Sequence, residues 1–380
     1  MSRSAARGAV ILTCEYPPFP GGIGTVAGRL ADEVRAGGKS LTVIAPDYPD
    51  LPPPGAEPDV RRILRHHKIS PKAALRSLAM LVGASRDRII FAADIRTVVL
   101  AYVFHKLTGR PYRVMIHGSE VTKFTGPSLA RSLVRASYLS AETLCSNSAA
   151  TLALFVESFG AAPQGQVDYL GVEAEWFEPL DGPFDDPRLA ALPAQTRVVS
   201  TVGRVEPRKG QLQAVEVIAA AQAQELDEAF VYVIAGRAES DTYVAEIEAR
   251  ARALNVSVLV TGRLSNDDLR RLYARSLVQI LCAQPLDGKV EGFGLVLLEA
   301  AAQRCPTIAT RTGGIPEVLG DTGGYLFEPS DVGGMGAKLA ELAADGDQRG
   351  AAGLAARSRA SEFTWRRFAR GVFPELFTED

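Results

Sequence analysis

The sequence predicts an α/β protein with two doubly wound, Rossmann-like domains that face each other across a cleft. Short runs rich in β-branched residues alternate with longer helical patterns, and this alternation is typical of βαβ units and parallel sheets. The pattern occurs twice, before and after a Pro- and Asp-rich segment at residues 179–193. With 380 residues the chain is also too long for a single core of the usual size, so two domains are expected.

Short apolar runs give the order of the elements. In the first half we expect strands at residues 9–13, 40–45, 88–92, 112–116 and 143–146, and helices at 24–36, 97–108 and 148–159. In the second half we expect strands at 197–203, 229–235, 256–261, 278–282, 307–309 and 324–326, with a helix in each gap. The first domain would then span residues 1–178 and the second residues 179–364.

The composition is that of an ordinary globular protein. Hydrophobic residues make up 47% of the chain and charged residues 23%, and both values lie near the average for folded domains. Residues 1–178 carry 20 Lys and Arg against 16 Asp and Glu, which leaves 22 against 28 for the remainder. Eight cations lie between residues 61 and 88. We expect no nucleic-acid partner.

The sequence indicates a cytoplasmic protein with reduced thiols. Its four cysteines are scattered without a C-x-x-C pair, and a chain of this length needs no disulfide bonds. The basic N-terminus is followed by an apolar run too short for a signal peptide. No segment approaches the ~20 apolar residues of a membrane span.

A glycine turn follows the first predicted strand. Gly21, Gly22 and Gly24 lead into a helix, where backbone N–H groups can approach an anion at the positive helix end. Gly22, Gly24 and Ala27 also fit the dinucleotide motif G-x-G-x-x-A, with Asp47 about twenty residues on. A dinucleotide turn follows its strand at once, whereas three prolines and a tyrosine intervene here. A NAD(P)-dependent oxidoreductase and a plain structural turn stay open as alternatives.

His117 follows the predicted strand 112–116. Gly118 permits a tight turn directly after it. The imidazole would then lie at the carboxyl end of a strand, where open α/β sheets bind their ligands. The alternative is a histidine that only makes a structural hydrogen bond.

Arg204 and Lys209 follow the first strand of the second half, with a glycine on either side of the pair. An arginine fork and a lysine point charge are complementary ligands for an anion such as a departing diphosphate. The alternative is a solvated charged loop.

The strongest motif runs from Glu291 to Glu299. Its Gly-Phe-Gly turn would place backbone N–H groups at the start of a helix, where they can bind phosphate. Glu299 would lie on that helix among apolar residues, and a buried carboxylate needs hydrogen-bond partners such as ribose hydroxyls. The alternative for Glu299 is an ordinary salt bridge on a surface helix. The D-x-D motif at residues 345–347 lies between helical stretches, so we expect no metal site there.

Taken in order, these motifs resemble the family 4 glycosyltransferases of the GT-B superfamily. The matching elements are the Gly21-Gly22 loop, His117-Gly118-Ser119-Glu120, Ser146-Asn147-Ser148, Gly203-Arg204 with Lys209, Gly262-Arg263-Leu264-Ser265 with Leu269 and Tyr273, Glu291-Gly292-Phe293-Gly294 with Glu299, and Gly313-Gly314. The resemblance covers nearly the whole chain. It implies a GT-B fold and retaining transfer of a hexose or N-acetylhexosamine from a UDP- or GDP-activated donor.

The resemblance also implies a site. The donor would be held by Gly22, Arg204, Lys209, Arg263, Leu264, Glu291, Phe293, Gly294, Leu295 and Glu299. Gly21, Gly22, Ile23 and His117 would lie on the acceptor side, and His117, Arg204, Lys209 and Glu291 would be catalytic. Arg204 and Lys209 would bind the diphosphate, and Glu299 the ribose. Glu291 would hold sugar hydroxyls, and residues near Arg263 and Leu264 would line the base pocket. No cofactor is implied, because the nucleotide sugar is a co-substrate.

Two further implications concern the ends of the domains. The final helix, from about Trp365 to residue 380, would cross back onto the first domain. Where the family has Pro-Asn-Gly-Val-Asp, this chain has Tyr169-Leu170-Gly171-Val172-Glu173, so the contacts of the asparagine are missing.

The resemblance implies that the acceptor is a hydroxyl of a glycan, a glycolipid or a small molecule. The basic segment 61–88, with its interleaved apolar residues, is a candidate amphipathic element for an anionic membrane, which would place the enzyme at the inner face of the membrane. A solvated basic helix packed on its sheet is the alternative. A protein that binds nucleotide sugars without catalysis is a third functional class.

Overall fold

The structure is a computed structural model that describes residues 6–19, 21–48, 57–66, 68–118, 121–124, 128–224 and 230–377. The chain divides into two compact units. The first comprises Met1–Gly171 with Trp365–Asp380, and the second comprises Val172–Thr364. Each unit is an α/β layer structure around one parallel sheet.

The two sheets have seven and six strands, in the orders β3-β2-β1-β4-β5-β6-β7 and β10-β9-β8-β11-β12-β13. The strands of the first unit are β1 (Gly8–Leu12), β2 (Ser40–Asp47), β3 (Val60–Arg65), β4 (Arg88–Ala92), β5 (Arg113–Ile116), β6 (Thr143–Ser146) and β7 (Gln164–Val167). Those of the second unit are β8 (Arg197–Val202), β9 (Phe230–Ala235), β10 (Ser257–Gly262), β11 (Ser276–Leu281), β12 (Thr307–Thr310) and β13 (Tyr325–Phe327).

Helices connect most of the successive strands in both units. The first unit contains α1 (Gly22–Ala36), α2 (Pro71–Gly83), α3 (Thr97–Thr108), α4 (Leu129–Leu139) and α5 (Ala149–Phe159). The second contains α6 (Pro187–Ala190), α7 (Gln211–Gln222), α8 (Asp241–Ala253), α9 (Asn266–Arg275), α10 (Leu295–Ala302), α11 (Ile315–Leu319), α12 (Val332–Ala344) and α13 (Gly346–Ala360). The chain then returns to the first unit with α14 (Trp365–Val372).

The buried apolar strands are those that the sequence predicts. All five residues of β1 are buried, and β8 and β11 are buried along five of their six residues. Such strands read as continuous apolar runs because helices cover both faces of a parallel sheet. Serine caps fix several of the helix starts: the Ser148 hydroxyl accepts a hydrogen bond from the Thr151 amide, so α5 begins at Ala149.

Two strands of the first unit were not predicted. β3 and β7 are the edge strands of the seven-stranded sheet, and their residues are mostly charged, polar or partly exposed. An edge strand lacks the apolar run of a central strand, so its sequence resembles a loop. The basic segment 61–88 is therefore not one amphipathic element, because it contains β3, all of α2 and the first residue of β4.

The C-terminal segment is part of the core of the first unit. α14 packs on α1, and the ring of Phe373 meets Phe91 of β4 edge-on, with the ring centres 5.4 Å apart. The buried Arg113 donates a hydrogen bond of 2.6 Å to the carbonyl of Val372 and pairs with Glu375. An arginine in this position satisfies backbone groups at the end of a helix.

The Pro- and Asp-rich segment lies within the second unit. The carboxylate of Asp268, on α9, accepts hydrogen bonds from the amides of Asp185 and Asp186, at 2.8 and 2.9 Å. Asp186 in turn caps α6. The segment that separates the two predicted domains is thus ordered by specific contacts within the second unit.

Across the described residues, no helix is both long and apolar enough to span a membrane.

Candidate functional site

The loops that follow β8 and β11 meet at the carboxyl edge of the six-stranded sheet. After β8 the chain forms a short 3-10 turn at Pro207–Lys209 before α7. Gly210 ends this turn with a φ of 70°, and a Cβ at this position would lie 1.8 Å from the carbonyl oxygen of Cys282 after β11. Only glycine permits so close an approach in this conformation. Glycine at position 210 therefore allows the Arg208-Lys209 turn to pack closely against the loop that leads to Glu291.

Glu291 is bound by two cations. Lys209 Nζ lies 2.6 Å and Arg208 Nη1 3.0 Å from the same oxygen, Oε2. The three side chains are about one-tenth exposed. These are charge-assisted hydrogen bonds in a largely desolvated place, where a carboxylate without partners would be unfavourable.

Opposing effects set the ionisation of Glu291. Burial alone would raise the pKa of this carboxyl, but the charges of Lys209 and Arg208, with their hydrogen bonds, outweigh burial and hold the pKa below its usual value. For Arg208, burial opposes the charged form, and Glu291 and Glu206 more than compensate, so its pKa is raised. Both shifts favour the charged forms of Glu291 and Arg208.

Arg204 lies at the exposed end of the same group of charges. Its side chain is 51% exposed, with Nη2 3.1 Å from Glu206 Oε1 and Nη1 3.7 Å from Glu239 Oε1. Among the described residues, the Arg204 and Lys209 side chains share no partner. They are connected through a chain of contacts from Glu206 to Arg208 and Glu291.

Glu299 lies in the second turn of α10 and is partly buried. The hydroxyl of the fully buried Tyr273, from α9, lies 3.3 Å from Glu299 Oε2. Burial, and after it the negative charge of Glu173, raise the pKa of Glu299 to about 7, and the hydrogen bond from Tyr273 acts in the opposite direction. Among the described residues no cation pairs with Glu299, so the alternative of an ordinary surface salt bridge does not apply.

The turn between Glu291 and α10 is buried along its whole length. Gly294 has a φ of 92° and caps α10 without a side-chain hydrogen bond. The ring of Phe293 is 2% exposed and packs edge-on against Phe363, with the ring centres 6.0 Å apart. Leu295, the first residue of α10, is partly buried. The predicted contribution of Phe293 to a ligand site therefore falls to its backbone amide and not to its ring.

A second glycine turn, after β12, holds the backbone of Glu291. The amide of Gly314 donates a 2.9 Å hydrogen bond to the Glu291 carbonyl. Gly313 has a φ of 54°, and a Cβ there would lie 2.0 Å from that same oxygen. This turn therefore shapes the backbone around Glu291.

Arg263 and Leu264 directly follow β10 at the same edge of the sheet. Arg263 is exposed and Leu264 is partly buried. Ser265 then caps α9 by accepting the Asp268 amide at 3.0 Å. Arg263 and Leu264 follow the strand-end glycine Gly262, which has a φ of 72°.

In the first unit, the glycine turn leads into α1. α1 begins at Gly22, an exposed residue, and Gly21 and Ile23 are partly buried. Residues 13–21 separate the end of β1 from the helix, so the turn does not follow its strand at once as a dinucleotide turn does. Pro20 lies outside the described residues.

His117 follows β5 and is partly buried. Its Nε2 lies 2.8 Å from the carbonyl oxygen of Ala93, so this nitrogen carries the proton. The His117 carbonyl accepts a hydrogen bond of 3.1 Å from Asn147 Nδ2, which belongs to the Ser146-Asn147-Ser148 motif. Ser119 and Glu120 lie outside the described residues.

Two family models together account for most of the chain. The model described as "Glycosyl transferase 4-like domain" matches residues 21–173, and "Glycosyl transferases group 1" matches residues 186–359. This chain belongs to family 4 of the glycosyltransferases. It is a nucleotide-sugar-dependent hexosyltransferase, and the alternative of an oxidoreductase is wrong.

Curated relatives of this glycosyltransferase match over nearly their full length. A GDP-mannose-dependent monoacylated alpha-(1-6)-phosphatidylinositol monomannoside mannosyltransferase of Corynebacterium glutamicum is 26% identical, over 95% of this chain and 96% of the relative. A GDP-mannose-dependent alpha-(1-6)-phosphatidylinositol monomannoside mannosyltransferase of Mycobacterium tuberculosis is 29% identical, over 92% of both chains.

Solved structures share the fold of this glycosyltransferase. Sucrose-phosphate synthase from Thermosynechococcus elongatus superposes with a TM-score of 0.76, at 20% identity and over 96% of both chains. The Anabaena protein HepE, crystallised with UDP and glucose, superposes with a TM-score of 0.73 at 18% identity, over 98% of this chain and all of HepE. The fold is GT-B, with two Rossmann-like α/β units, as the sequence predicts.

Two residues of this glycosyltransferase site have no role in the sequence-based prediction. Arg208 and Glu206 lie within the predicted Arg204–Lys209 loop, but nothing in their spacing indicates that Arg208 reaches Glu291. The position of Arg208 next to Lys209 is the one available indication. Tyr273 matched the family pattern, yet its contact with Glu299 emerges only from the fold.

Proposed function

We propose that this glycosyltransferase transfers a hexose from a GDP- or UDP-activated donor, with retention of the anomeric configuration and without a metal. The supporting observation is the Glu291 carboxylate, held by Lys209 and Arg208 beside the first amides of α10. The GDP-mannose-dependent relatives favour mannose and GDP over N-acetylhexosamines and UDP.

Each part of the donor has a partner of matching chemistry in this proposal. Lys209 and Arg204 bind the diphosphate, and the Glu299 carboxyl binds the ribose hydroxyls. Glu291 holds hydroxyls of the sugar, with the amides around Phe293 and Gly294 facing phosphate. Arg263, Leu264 and Leu295 lie near the base and the nucleotide. Gly21, Gly22, Ile23 and His117 serve the acceptor, and Gly22 also approaches the donor.

The chemical step needs charge stabilisation at the leaving group. The bond between the anomeric carbon and the phosphate oxygen breaks, and the diphosphate takes the electron pair. Arg204, Lys209 and the helix start are positioned positive charges that stabilise this developing anion in place of a metal. The acceptor hydroxyl attacks from the face of departure and its proton goes to the phosphate. A covalent glycosyl-enzyme trapped at any Asp or Glu would refute this step.

A nucleotide panel tests the function directly. Thermal-shift measurements with GDP, UDP, ADP and NAD should show stabilisation by GDP or UDP, because a ligand that binds only the folded state raises its stability. Slow hydrolysis of the matching nucleotide sugar should follow, since it needs no acceptor. A non-catalytic binder would be stabilised without hydrolysis, and stabilisation by NAD alone would contradict the proposal.

We also propose a cytoplasmic enzyme that works on a lipid-linked acceptor at an anionic membrane. Support comes from α2, α3 and α4, since α3 packs between the other two and none of the three contains Asp or Glu. Their exposed apolar residues include Leu75 at 71%, Leu107 at 68% and Leu129 at 92% exposure. Lysine and arginine residues flank these side chains, which is the pattern that anionic lipid favours.

Liposome sedimentation tests this surface. We expect binding to vesicles with anionic lipid at low salt, reduced at least about tenfold by Leu129→Ser with Arg135→Gln. The matched control is Leu354→Ser with Arg252→Gln, which changes exposed residues on α13 and α8 of the second unit. No binding at low salt, or equal losses in both double variants, would remove the membrane part of the proposal.

A further inference from the structure

Arg208 is a buried cation in the loop after β8, and the proposed function assigns no role to it. Its side chain is 10% exposed and uses both ends of the guanidinium. Nη1 donates to Glu291 Oε2 at 3.0 Å and approaches the Val290 carbonyl at 3.4 Å, while Nη2 donates to Glu206 Oε1 at 2.8 Å. The guanidinium thus bridges two carboxylates and is held rigidly between them.

The geometry divides the Glu291 carboxylate into two halves. Both Arg208 and Lys209 contact Oε2, and among the described residues no hydrogen bond or ion pair reaches Oε1. An anchored Oε2 fixes the orientation of the carboxylate, so that Oε1 is directed by the protein rather than by solvent. A carboxylate held in this way loses little freedom when a hydroxyl group binds to it.

Charge balance separates the tasks of the two cations. Glu291 carries one negative charge and faces two positive charges. Glu206 is also paired with Arg204, so if Arg204 balances Glu206 and Arg208 balances Glu291, the charge of Lys209 is left for a third group. Without Arg208, Lys209 would be the single cation paired with Glu291. The carboxylate would then largely neutralise the charge of Lys209.

We propose that Arg208 is a positioning residue for the donor site: it compensates and orients Glu291, so that the ammonium of Lys209 keeps its charge for the donor diphosphate. This rests on the proposed roles of Lys209 and Glu291. Glu206 links Arg208 to Arg204, because its Oε1 contacts both side chains, at 2.8 and 3.1 Å. An incoming diphosphate can take Arg204 from Glu206 while Arg208 stays in place.

The surroundings of Glu291 make the proposal testable by pH. Its charged neighbours are Lys209 and Arg208 from the loop after β8, with Glu206 behind Arg208. The nearest other charged residues along the flanking loops and α11 are Lys289, Arg311 and Glu317, and Arg311 pairs with Glu328 at 3.3 Å. Lys209 and Arg208 are the two that lower the pKa of Glu291. Loss of the Arg208 charge therefore raises that pKa, and a function that needs the carboxylate fails at a higher pH.

The experiment compares Arg208→Gln, Arg208→Lys and wild type. Donor hydrolysis is followed as kcat/KM against pH, and GDP and UDP binding by calorimetry. Two acidic limbs are expected, an upper one from Glu299 near pH 7 and a lower one from Glu291, and the lower limb is the one compared here. In Arg208→Gln we expect this acidic limb to move up by about one pH unit or more, and the nucleotide to bind about tenfold more weakly. Arg208→Lys restores the charge and should return the acidic limb to its wild-type position. Arg250→Gln, which removes an exposed partner of Glu216, is the control.

A merely structural arginine would behave differently. If the thermal midpoint falls in Arg208→Gln but the acidic limb and the nucleotide affinity stay at the wild-type values, the inference is overturned and the proposed function is not affected. The inference is also overturned if Arg208→Lys leaves the acidic limb at the Arg208→Gln position. A wild type that neither binds nor hydrolyses a GDP- or UDP-sugar overturns the proposed function itself.

Discussion

Lys209 and Glu299 are the two side chains whose removal should show that the second unit binds the donor. Lys209→Ala deletes a buried ammonium from the leaving-group side, and Glu299→Ala deletes the proposed ribose ligand. We expect each to reduce turnover at least ~100-fold, about 2.7 kcal/mol of barrier. Glu248→Ala, an exposed position on α8, should leave turnover within the error of the measurement. Near-normal kinetics in both site variants would overturn the assignment.

The raised pKa of Glu299 also predicts that the protein releases a proton when the nucleotide binds. With a pKa of about 7, the free enzyme holds Glu299 largely protonated below neutral pH. Ribose hydroxyls that donate to the carboxylate favour its charged form, so the pKa falls on binding and the affinity rises as pH increases toward 7. Calorimetry at pH 6.5 in buffers of different ionisation enthalpy should show this release, and Glu299→Gln should abolish it. Equal binding enthalpies in all buffers would contradict the role of Glu299.

The same shift has a consequence for stability. A carboxyl whose pKa is raised in the folded state contributes fully below its ordinary pKa near 4.5, and this contribution is lost as pH rises through about 7. Without ligand, stability should therefore decline over this window, by on the order of 3 kcal/mol at most. In Glu299→Gln the decline should disappear, which a series of urea unfolding curves between pH 5 and 8 would measure.

Among the elements, the turn after β12 predicts a separation of activity from stability. Gly313→Ala forces a strained φ and a contact with the Glu291 carbonyl, which costs about 1–3 kcal/mol. The turn must move, and the Glu291 backbone moves with it, so we expect at least a tenfold loss of turnover (about 1.4 kcal/mol) in protein that is still folded.

The matched control is Gly333→Ala. Gly333 lies near the start of α12 with open space around its position, so alanine should be neutral or stabilising by up to about 1 kcal/mol. Equal behaviour of the two variants would show that the turn does not position Glu291.

The elements also show what a sequence reveals and what it conceals. β1, β8 and β11 are predictable because their residues are apolar almost throughout, whereas β3 and β7 lie at a sheet edge and carry polar residues. Motifs at strand ends are predictable because a glycine there marks a turn whose backbone conformation or close approach other residues do not permit. The partners of those motifs are not, since Lys209 and Glu291 are 82 residues apart and meet through the fold alone.

For the whole molecule, the presence of two cores predicts that each unit has its own free energy of unfolding. Each unit has its own buried apolar cluster, and the first unit also depends on the C-terminal segment. Phe373 is fully buried against Phe91, so Phe373→Ala should destabilise the first unit by about 3–5 kcal/mol. Hydrogen exchange should rise in β1 and β4 and stay unchanged in β8 and β11. An equal rise in both sheets would contradict this division.

The central claim, retaining transfer from a nucleotide sugar without a metal, is tested most directly by proton NMR of the reaction itself. Wild-type protein with EDTA is given α-linked GDP- and UDP-hexoses, and early spectra report donor loss and the anomer of the first product. The account predicts that a GDP- or UDP-hexose is consumed and that the product appears first as the α-anomer. A β-anomer as first product, or no turnover of any donor until a divalent cation is added, would contradict it.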